Sequence, residues 1–396
     1  MNNSLGNLDV IVERNVEVPM RDGTLLRADI WRPDLAGQFP VLIERTPYDK
    51  TASSESSLGA GEYYASHGYV TVIQDVRGRF ASDGLFYPFR DDGDGENQDG
   101  YDTVEWAAAQ PWSNKKIGTI GGSYSGATQY RMLATQPPHL VAQFVRQSSS
   151  DYYIEWVYRS GVFEHGFNIS WTLKHASTNA VKLAPEGMED EVVTRLTKAS
   201  DDYQKWLEHV PISPLPPVAD LQDWFVDWMD HPNQGEYWNE FSIVRSHDRV
   251  DVPIHHFGSW YDCFLRGTLE NYVGMRSKAV NKQARSGQRL TIGPWVHNPS
   301  PADMRTSGEV DFGEQAKLGW FATRLRWFDH WLKGIDNGIE QEKPVKLFTM
   351  GVNKWREFSE WPPAEISYTP FYLSNGRSGS AQSLNCLLYT SPSPRD

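Results

Sequence analysis

A serine within the segment GGSYSG (121–126) has the surroundings of a catalytic nucleophile. An apolar run precedes the segment and a helical pattern follows it. A nucleophile elbow needs this arrangement, because its serine sits on a strained turn between a strand and a helix whose amino terminus favours developing negative charge. The segment departs from strict G-x-S-x-G, because Ser125 stands where the second glycine belongs and Gly126 follows it. Ser123 is therefore a candidate nucleophile, and a plain glycine-rich turn is the alternative.

Two further residues could supply the general base and the orienting carboxylate that an activated serine requires. In an α/β hydrolase they follow the nucleophile in the order Asp, His, and each lies just after a late strand. Asp262 lies past the apolar run of PIHHFGSWYDCF, and His297 lies in TIGPWVHN. His255 and His256 lie within the first of these runs, before the acid, and we interpret them as structural. The order and the strand-end positions predict a triad of Ser123, Asp262 and His297.

The elements that must position this triad alternate between short apolar runs and helical patterns, which predicts an α/β fold with a parallel sheet. Near-continuous apolar runs such as 40–46 are typical of strands buried on both faces. The predicted strands are 27–33, 40–46, 69–76, 117–122, 141–147, 253–259 and 289–294. The predicted helices are 60–67, 101–110 and 124–136.

The alternation is interrupted between about residues 150 and 245 by a segment rich in Trp, Tyr and acidic residues, which predicts an inserted helical cap. An amphipathic helix over 314–333, ending at Gly334, is predicted to close the core. Strand patterns after Pro344, including 366–373, predict a separate β domain. The predicted organisation is a core at 1–149 and 246–340, a cap at 150–245, the start of the β domain at 341–385, and a tail at 386–396.

The tail CLLYTSPSPRD (386–396) resembles a translated sequencing adapter rather than a protein segment. We therefore expect the natural sequence to stop near Asn385, short of the true carboxyl terminus. A natural disordered tail is the alternative. On the first interpretation Cys263 is the only genuine cysteine, since Cys386 belongs to the tail.

Composition excludes several classes of protein. The chain has 396 residues, a formal net charge of −13 and no basic run, so a nucleic acid partner is not expected. No apolar stretch is long enough for a membrane span, and the amino terminus lacks a signal-peptide core. With only two cysteines in the chain, we expect no disulfide framework and a cytoplasmic protein. The expected partner is a small-molecule ester or amide, and a homodimer is left open.

Four stretches of the chain resemble one family. These are MRDGTLLRADIWRP (20–33), ERTPYDK (44–50), DVRGRFASDG (75–84) with GGSYSG (121–126), and GSWYDCF (258–264) with GPWVHN (293–298). Together they resemble the cocaine-esterase-like (CocE/NonD) serine hydrolases, the group of the X-Pro dipeptidyl peptidases (S15 family) and α-amino-acid ester hydrolases. The resemblance runs from about residue 10 to 385. It implies an α/β-hydrolase core with an inserted helical cap and a C-terminal β jelly-roll.

The resemblance also implies roles for residues that the chain's own patterns do not single out. An oxyanion hole would consist of the Tyr48 hydroxyl and the backbone N–H of Tyr124. The acyl pocket would be lined by the three aromatic side chains Trp156, Trp171 and Phe264, with cap core as the alternative for each Trp. The implied reaction is ester hydrolysis through an acyl-enzyme, with no cofactor and no metal.

Three other interpretations stay open at this stage. An X-Pro dipeptidyl peptidase or amino-ester hydrolase would need acidic partners for a substrate ammonium. The residues after Asp262 supply none, although Asp151 or Glu155 could substitute. A non-catalytic hydrolase-fold binding module is the second. The third, a calcium loop in RDDGDGENQDG (90–100), is disfavoured because Asn97 stands where glycine is required. We expect Asp75, Arg77 and Asp83 to brace their loop rather than to take part in catalysis.

Overall fold

A computed structural model describes residues 8–370 of the chain. The strands are β1 Val10–Pro19, β2 Leu25–Pro33, β3 Phe39–Thr46, β4 Val70–Asp75, β5 Ser113–Thr119, β6 Leu140–Arg146, β7 Tyr158–Arg159, β8 Val162–Phe163, β9 Ile254–Tyr261, β10 Arg289–Val296, β11 Thr306–Ser307, β12 Val310–Asp311, β13 Val345–Thr349 and β14 Lys354–Phe358.

The α-helices of the described residues complete the element order. They are α1 Ser54–Ser57, α2 Ala60–Ser66, α3 Asp99–Ala108, α4 Tyr124–Met132, α5 His165–Ser177, α6 Ala180–Leu183, α7 Glu189–Asp201, α8 Tyr203–Leu207, α9 Asp223–Asp230, α10 Glu236–Asn239, α11 Leu265–Lys278, α12 Lys282–Ser286 and α13 Trp320–Lys333. No helix within residues 8–370 is long and apolar enough to cross a lipid bilayer.

One ten-stranded sheet, in the order β1-β2-β4-β3-β5-β6-β9-β10-β13-β14, forms the centre of the first compact unit, which ends at Glu357. The strands from β4 to β13 in this order run parallel to one another, while β1 and β2 pair antiparallel at one edge. Every residue of β4 is buried, as the apolar runs predicted for strands covered on both faces. The predicted α/β class with a parallel sheet is confirmed.

The segment between β6 and β9 carries the six helices α5 to α10 and the short β7–β8 hairpin, where the sequence predicts a helical cap. Helix α7 shows how this segment packs. Its buried residues Val192, Leu196 and Ala199 recur at helical spacing, and acidic residues occupy its first turn. The buried apolar residues of the cap therefore belong to the same cluster as those of strands β2, β3 and β4.

The last core helix differs from its prediction at one end. Helix α13 ends at Gly334, in the left-handed conformation, as predicted, but it begins at Trp320 rather than near 314. Gly319 precedes it with φ 77° and ψ 101°, which is not helical backbone, and a 3₁₀ turn occupies Glu314–Ala316. The apolar pattern extends across this break because both pieces face the core.

The segment after Pro344 begins with two strands of the main sheet. Strand β13 pairs with β10 and buries Val345, Leu347 and Phe348, and β14 follows it at the edge of the sheet. The segment predicted as a separate β domain therefore begins inside the sheet. Residues 366–370 form no strand, and the remainder of that predicted domain and the tail at 386–396 lie outside the described residues.

Candidate active site

Four of the sequence-predicted site residues follow strands of the parallel part of the sheet. Tyr48 follows β3, Ser123 follows β5, Asp262 follows β9 and His297 follows β10. These strands are parallel, so their carboxyl ends lie along the same edge of the sheet, where ligand sites of open α/β sheets occur. Residues far apart in the chain are brought to one edge in this way.

Ser123 occupies the strained turn that a nucleophile elbow requires. Its backbone has φ 57° and ψ −123°, a conformation rare for a residue with a side chain, and α4 begins at the next residue. The glycines on either side of it are required, because a side chain at these positions would clash with its neighbours. A Cβ on Gly122 would lie 2.4 Å from the Arg146 guanidinium carbon, and one on Gly126 would lie 2.7 Å from the Ser148 Cβ. The turn is therefore enclosed by neighbours that a larger residue would displace.

His297 and Asp262 form the base–acid pair of the predicted triad. The His297 Nδ1 lies 2.7 Å from the Asp262 Oδ1. The Asp262 side chain is fully buried, whereas that of His297 is one-third exposed. With the Nδ1 proton donated to the carboxylate, Nε2 carries the lone pair that can accept a proton. The pair thus has the geometry of a general base held by a buried acid.

Arg146 and Gln147, at the end of β6, form hydrogen bonds both to the turn that carries Ser123 and to the loop that carries His297. The Ser123 N–H donates to the Arg146 carbonyl at 3.0 Å, and the Arg146 Nη1 donates to the Asn298 carbonyl at 2.6 Å. Gln147 accepts from the Asn298 N–H at 3.1 Å and donates to the Val296 carbonyl at 2.8 Å. These bonds fix the backbone on both sides of His297 relative to Ser123.

Tyr48 points its hydroxyl into this arrangement. The Trp171 Nε1 donates to the Tyr48 hydroxyl at 3.4 Å, and the Ser123 side chain is near enough to lower the pKa of the phenol. Burial raises the pKa of Tyr48, and the hydrogen bonds with Trp171 and Ser123 act against that rise. The phenol therefore keeps its proton at neutral pH and can donate it in a hydrogen bond to an oxyanion.

The side chain of Tyr124, unlike that of Tyr48, packs in the interior. Its hydroxyl accepts a hydrogen bond from the Phe89 N–H at 2.7 Å, and its ring is stacked on that of Phe89 with centroids 4.5 Å apart. Burial raises the pKa of Tyr124 well above its usual value. The side chain is thus structural, and only the backbone N–H that begins α4, directly after Ser123, is a candidate oxyanion donor.

The three aromatic residues assigned to the acyl pocket form one continuous wall. Trp156 is stacked on Phe264 with centroids 4.9 Å apart, and Phe264 lies 5.5 Å from the His297 ring. Trp156 and Trp171 meet edge to face at 5.6 Å, and Trp171 reaches the Tyr48 hydroxyl. The wall therefore runs from the candidate general base to the candidate oxyanion donor, and all three of its residues are buried.

The sequence reasoning missed His175, which packs behind this wall. Its ring lies 3.9 Å from that of Trp171 and 5.2 Å from that of Tyr48, and burial lowers its pKa well below the usual value. The available signal was its position four residues after Trp171 on α5, which places both side chains on one helix face. Sequence spacing could show that face, but not that it meets Tyr48.

The competing histidines bond within the core. The His256 Nδ1 lies 2.6 Å from the Tyr130 hydroxyl and its Nε2 lies 2.8 Å from the Gln288 Oε1, while the His255 Nε2 lies 2.9 Å from the Thr291 hydroxyl. Burial lowers the pKa of His256 to about 3 and that of His255 well below normal. Both rings therefore stay neutral and engaged, in keeping with a structural role.

Cys263 lies beside the candidate triad. Its thiol, together with Asp262 and His297, offers ligand atoms within 4.8 Å of one another. Desolvation and the Asp262 carboxylate raise the pKa of the Cys263 thiol to about 12, so it holds its proton at neutral pH and is a poor metal ligand. The Asp262–His297 contact accounts for the cluster without an ion.

The acidic segment 90–100 and the loop before it are tied together by arginines. Arg77 binds Asp99 at 2.7 Å and Asp22 at 2.6 Å, and Arg45 pairs with Asp92. Asp75 binds Lys50 at 2.9 Å. The ion pairs brace the loop through these partners, and Asp92 and Asp99 are neutralised by guanidinium groups.

The cap acids that could have received a substrate ammonium are occupied. Asp151 accepts from the N–H groups of Tyr153 and Ile154 at 3.0 and 3.2 Å. Glu155 accepts from the Ser150 N–H at 3.0 Å and the Ser149 hydroxyl at 3.1 Å. Burial raises the pKa of Glu155 to about 7. One oxygen of each carboxylate is thus engaged by nearby N–H or hydroxyl groups, while the Glu155 Oε1 is buried without a hydrogen-bond partner within residues 8–370.

Comparison with known proteins places these features in a family. The family model of the X-Pro dipeptidyl-peptidase (S15 family) matches residues 22–299, and that of the X-Pro dipeptidyl-peptidase C-terminal non-catalytic domain matches residues 337–390. Cocaine esterase of Rhodococcus sp. (strain MB1 Bresler) is 32% identical over 383 residues, which are 93% of this chain and 63% of the relative. The chain thus spans less than two thirds of the length of this relative.

Two solved structures share the fold. An aminopeptidase from the marine sediment archaeon Thaumarchaeota archaeon has a TM-score of 0.70 and 21% identity, covering 95% of this chain and 63% of that chain. An α-amino acid ester hydrolase has a TM-score of 0.69 and 23% identity, covering 94% of this chain and 63% of that chain. At such identities the likeness bears on the fold.

Proposed function

The chain belongs to the X-Pro dipeptidyl-peptidase (S15) family, and from that premise we propose that it is a serine hydrolase of carboxylic esters with bulky or aromatic acyl groups. The observation that carries the proposal is the 2.7 Å contact between His297 and Asp262 at the sheet edge where Ser123 occupies its strained turn. A named cocaine esterase among the relatives supports an ester as the substrate class.

The first half of the reaction forms an acyl-enzyme. His297 accepts the Ser123 proton through Nε2 as the hydroxyl oxygen attacks the ester carbonyl, and Asp262 holds the imidazole and stabilises the imidazolium. The tetrahedral oxyanion receives hydrogen bonds from the Tyr48 hydroxyl and the Tyr124 N–H. One such donor contributes roughly 3–4 kcal/mol to the transition state, because it is already oriented where charge develops. The intermediate then collapses, and the alcohol leaves with the proton from His297.

The second half regenerates the enzyme. Water gives a proton to His297 as it attacks the acyl carbonyl, and the same donors receive the second oxyanion. The Ser123 oxygen then leaves, takes the proton back, and the carboxylic acid is released. The two halves together use side chains of the chain, the backbone N–H of Tyr124 and one water molecule.

Acyl selectivity follows from the aromatic wall. Trp156, Trp171 and Phe264 offer an apolar aromatic surface beside His297, which suits an aromatic or bulky acyl group. A charged α-amino group would lose its hydration there without gaining a free carboxylate, since Asp151 and Glu155 are engaged by nearby N–H and hydroxyl groups. We therefore favour neutral acyl esters over aminoacyl substrates.

A matched pair of substrates tests this function. The p-nitrophenyl esters of phenylacetate and phenylglycine share a leaving group and a ring and differ in an α-amino group, and both are assayed at a pH where that amine is charged. We expect kcat/KM for the neutral ester to be roughly tenfold higher or more, since an unpaired buried charge costs over 1 kcal/mol. S123A should remove both activities.

An X-Pro p-nitroanilide is the third substrate of the panel. A kcat/KM for it, or for the phenylglycine ester, above that of the neutral ester would assign the peptidase or amino-ester hydrolase function instead. Turnover of none of the three by a folded protein would support the non-catalytic binding module.

A further inference from the structure

Arg79 is a buried cation without a carboxylate partner. The residue is 1% exposed, and no acidic group within residues 8–370 forms an ion pair with it. Its guanidinium instead donates to the Pro47 carbonyl at 3.0 Å, the His175 carbonyl at 2.9 Å and the Thr178 hydroxyl at 3.0 Å. Arg77, two residues earlier, has the ordinary arrangement, with Asp22 and Asp99 as counter-ions.

An unpaired charge in this position needs a physical explanation, because moving a cation out of water is costly unless an anion compensates it. Burial lowers the pKa of Arg79 to about 10, so the group stays charged at neutral pH. The rings of Phe80 and Phe86 lie 4.9 and 5.2 Å from the guanidinium carbon and offset part of the cost. Three neutral oxygens and two rings supply dipoles and quadrupoles, but no negative charge.

The location of Arg79 links it to the candidate oxyanion donor. The carbonyl that its Nε binds belongs to Pro47, the residue directly before Tyr48. The carbonyl that its Nη1 binds belongs to His175, whose ring packs edge-on against Tyr48. The positive charge of Arg79 also acts to lower the pKa of Tyr48. The guanidinium therefore holds both supports of the phenol and makes that phenol a better hydrogen-bond donor.

We propose that Arg79 is a positioning residue for the oxyanion hole, which fixes the supports of Tyr48 and makes its phenol a better hydrogen-bond donor to the oxyanion. The inference rests on the function proposed above. Electrostatic preorganisation works in this manner, since a charge oriented in advance in a water-poor site stabilises the transition state more than the ground state.

A purely structural role is the competing explanation, because Arg79 also joins its loop to the cap helix α5. Asn179 also connects this loop to the cap, but through an uncharged side chain. Its side-chain oxygen accepts from the Phe80 N–H at 3.1 Å, and its Nδ2 donates to the Gly78 carbonyl at 3.0 Å. N179A is therefore the matched control, since it loosens the joint between loop and cap and leaves Arg79 in place.

The test compares R79M, R79K and N179A in steady-state hydrolysis of a neutral p-nitrophenyl ester and in inhibition by phenylboronic acid, which forms a tetrahedral anion with a reactive serine. We expect R79M to lower kcat roughly 10- to 100-fold, with KM within about twofold and with boronate affinity falling in proportion to kcat. R79K should recover part of the loss, and N179A should leave kcat within about twofold while lowering Tm.

A double variant separates action through Tyr48 from general damage. In a Y48F background, R79M should lower kcat by less than about threefold, because the donor that it serves is already gone. An active parent whose R79M variant matches N179A in kcat, or whose KM alone rises, overturns this inference and leaves the proposed function intact. A parent that hydrolyses no ester, with the same outcome in S123A, overturns both.

Discussion

Glu44 is a buried acid whose surroundings explain an irregularity in the nucleophile segment. Its side chain accepts from the Ser53 hydroxyl at 2.8 Å and also has a hydrogen bond from Ser125. Burial and the neighbouring Glu55 carboxylate raise the pKa of Glu44 to about 8. Ser125, which stands where the G-x-S-x-G pattern has glycine, thus uses its hydroxyl to satisfy a carboxyl group beneath the turn.

A raised folded-state pKa makes stability depend on pH in a defined direction. Between the unfolded pKa of about 4 and the folded pKa of about 8, the folded protein binds the Glu44 proton more tightly, so stability falls as pH rises through this window. We expect E44Q, which keeps a neutral side chain at all pH values, to reduce the fall in Tm between pH 5 and pH 9. E17Q, at an exposed position, is the control.

Thermal unfolding followed by circular dichroism at intervals of one pH unit measures this effect. Equal declines of Tm in the parent and in E44Q would show that Glu44 does not titrate as its burial requires.

The residues of the site differ in how far the sequence could predict them. Ser123 carries a local signal, since its neighbours fit a strained turn, and Asp262 and His297 follow strand patterns in the right order. Tyr48 has no such signal, because its role depends on contacts with Trp171 and Ser123 that are distant in sequence. Arg79 is harder still to identify from sequence, since its distinguishing feature is the absence of an ion pair, which is visible only in the three-dimensional structure.

Helix α13 shows how a single residue ends an element. Gly334 has φ 72°, its N–H donates to the His330 carbonyl at 3.0 Å, and the following N–H donates to the Asp329 carbonyl at 3.0 Å. These bonds satisfy carbonyls that the helix leaves open at its carboxyl end. A side chain at this position must adopt left-handed backbone, although the space around it is open.

We therefore expect G334A to lower the free energy of unfolding by about 1 kcal/mol through backbone strain alone. Gly166, exposed in the first turn of α5 with equally open surroundings and no left-handed backbone, is the control. G166A should leave stability unchanged or raise it by up to about 1 kcal/mol. Urea unfolding with a common m-value gives both numbers, and a G334A variant as stable as the parent would contradict the strain argument.

At the scale of elements, the hydrophobic pattern predicted the buried strands but not every element boundary. The central strands were predicted to within a few residues, because burial on both faces produces unbroken apolar runs. The start of α13 was not predicted, since Gly319 breaks the helix without breaking the apolar pattern. That β13 and β14 join the main sheet was not predicted, because a short strand carries no information about which sheet it joins.

At the scale of the molecule, long-range ion pairs and hydrogen bonds join the two ends of the core. Arg324 of α13 binds Glu55 at 2.7 Å, with both side chains fully buried, and the Tyr69 hydroxyl donates to Asp329 at 2.8 Å. These contacts bridge about 260 residues of sequence. They hold the last core helix against the first part of the core, whose strand β3 brings Tyr48 to the same sheet edge as His297.

The central claim is that Ser123, activated by His297 and Asp262, forms a covalent acyl-enzyme. The most direct measurement is mass spectrometry of the whole protein and of its peptides after reaction with a fluorophosphonate, which imitates the tetrahedral intermediate at a reactive serine. The account predicts one adduct per chain, located on Ser123, absent in S123A and formed far more slowly in H297A and D262N. An adduct on another residue, labelling that persists in S123A, or a rate unchanged in H297A would contradict it.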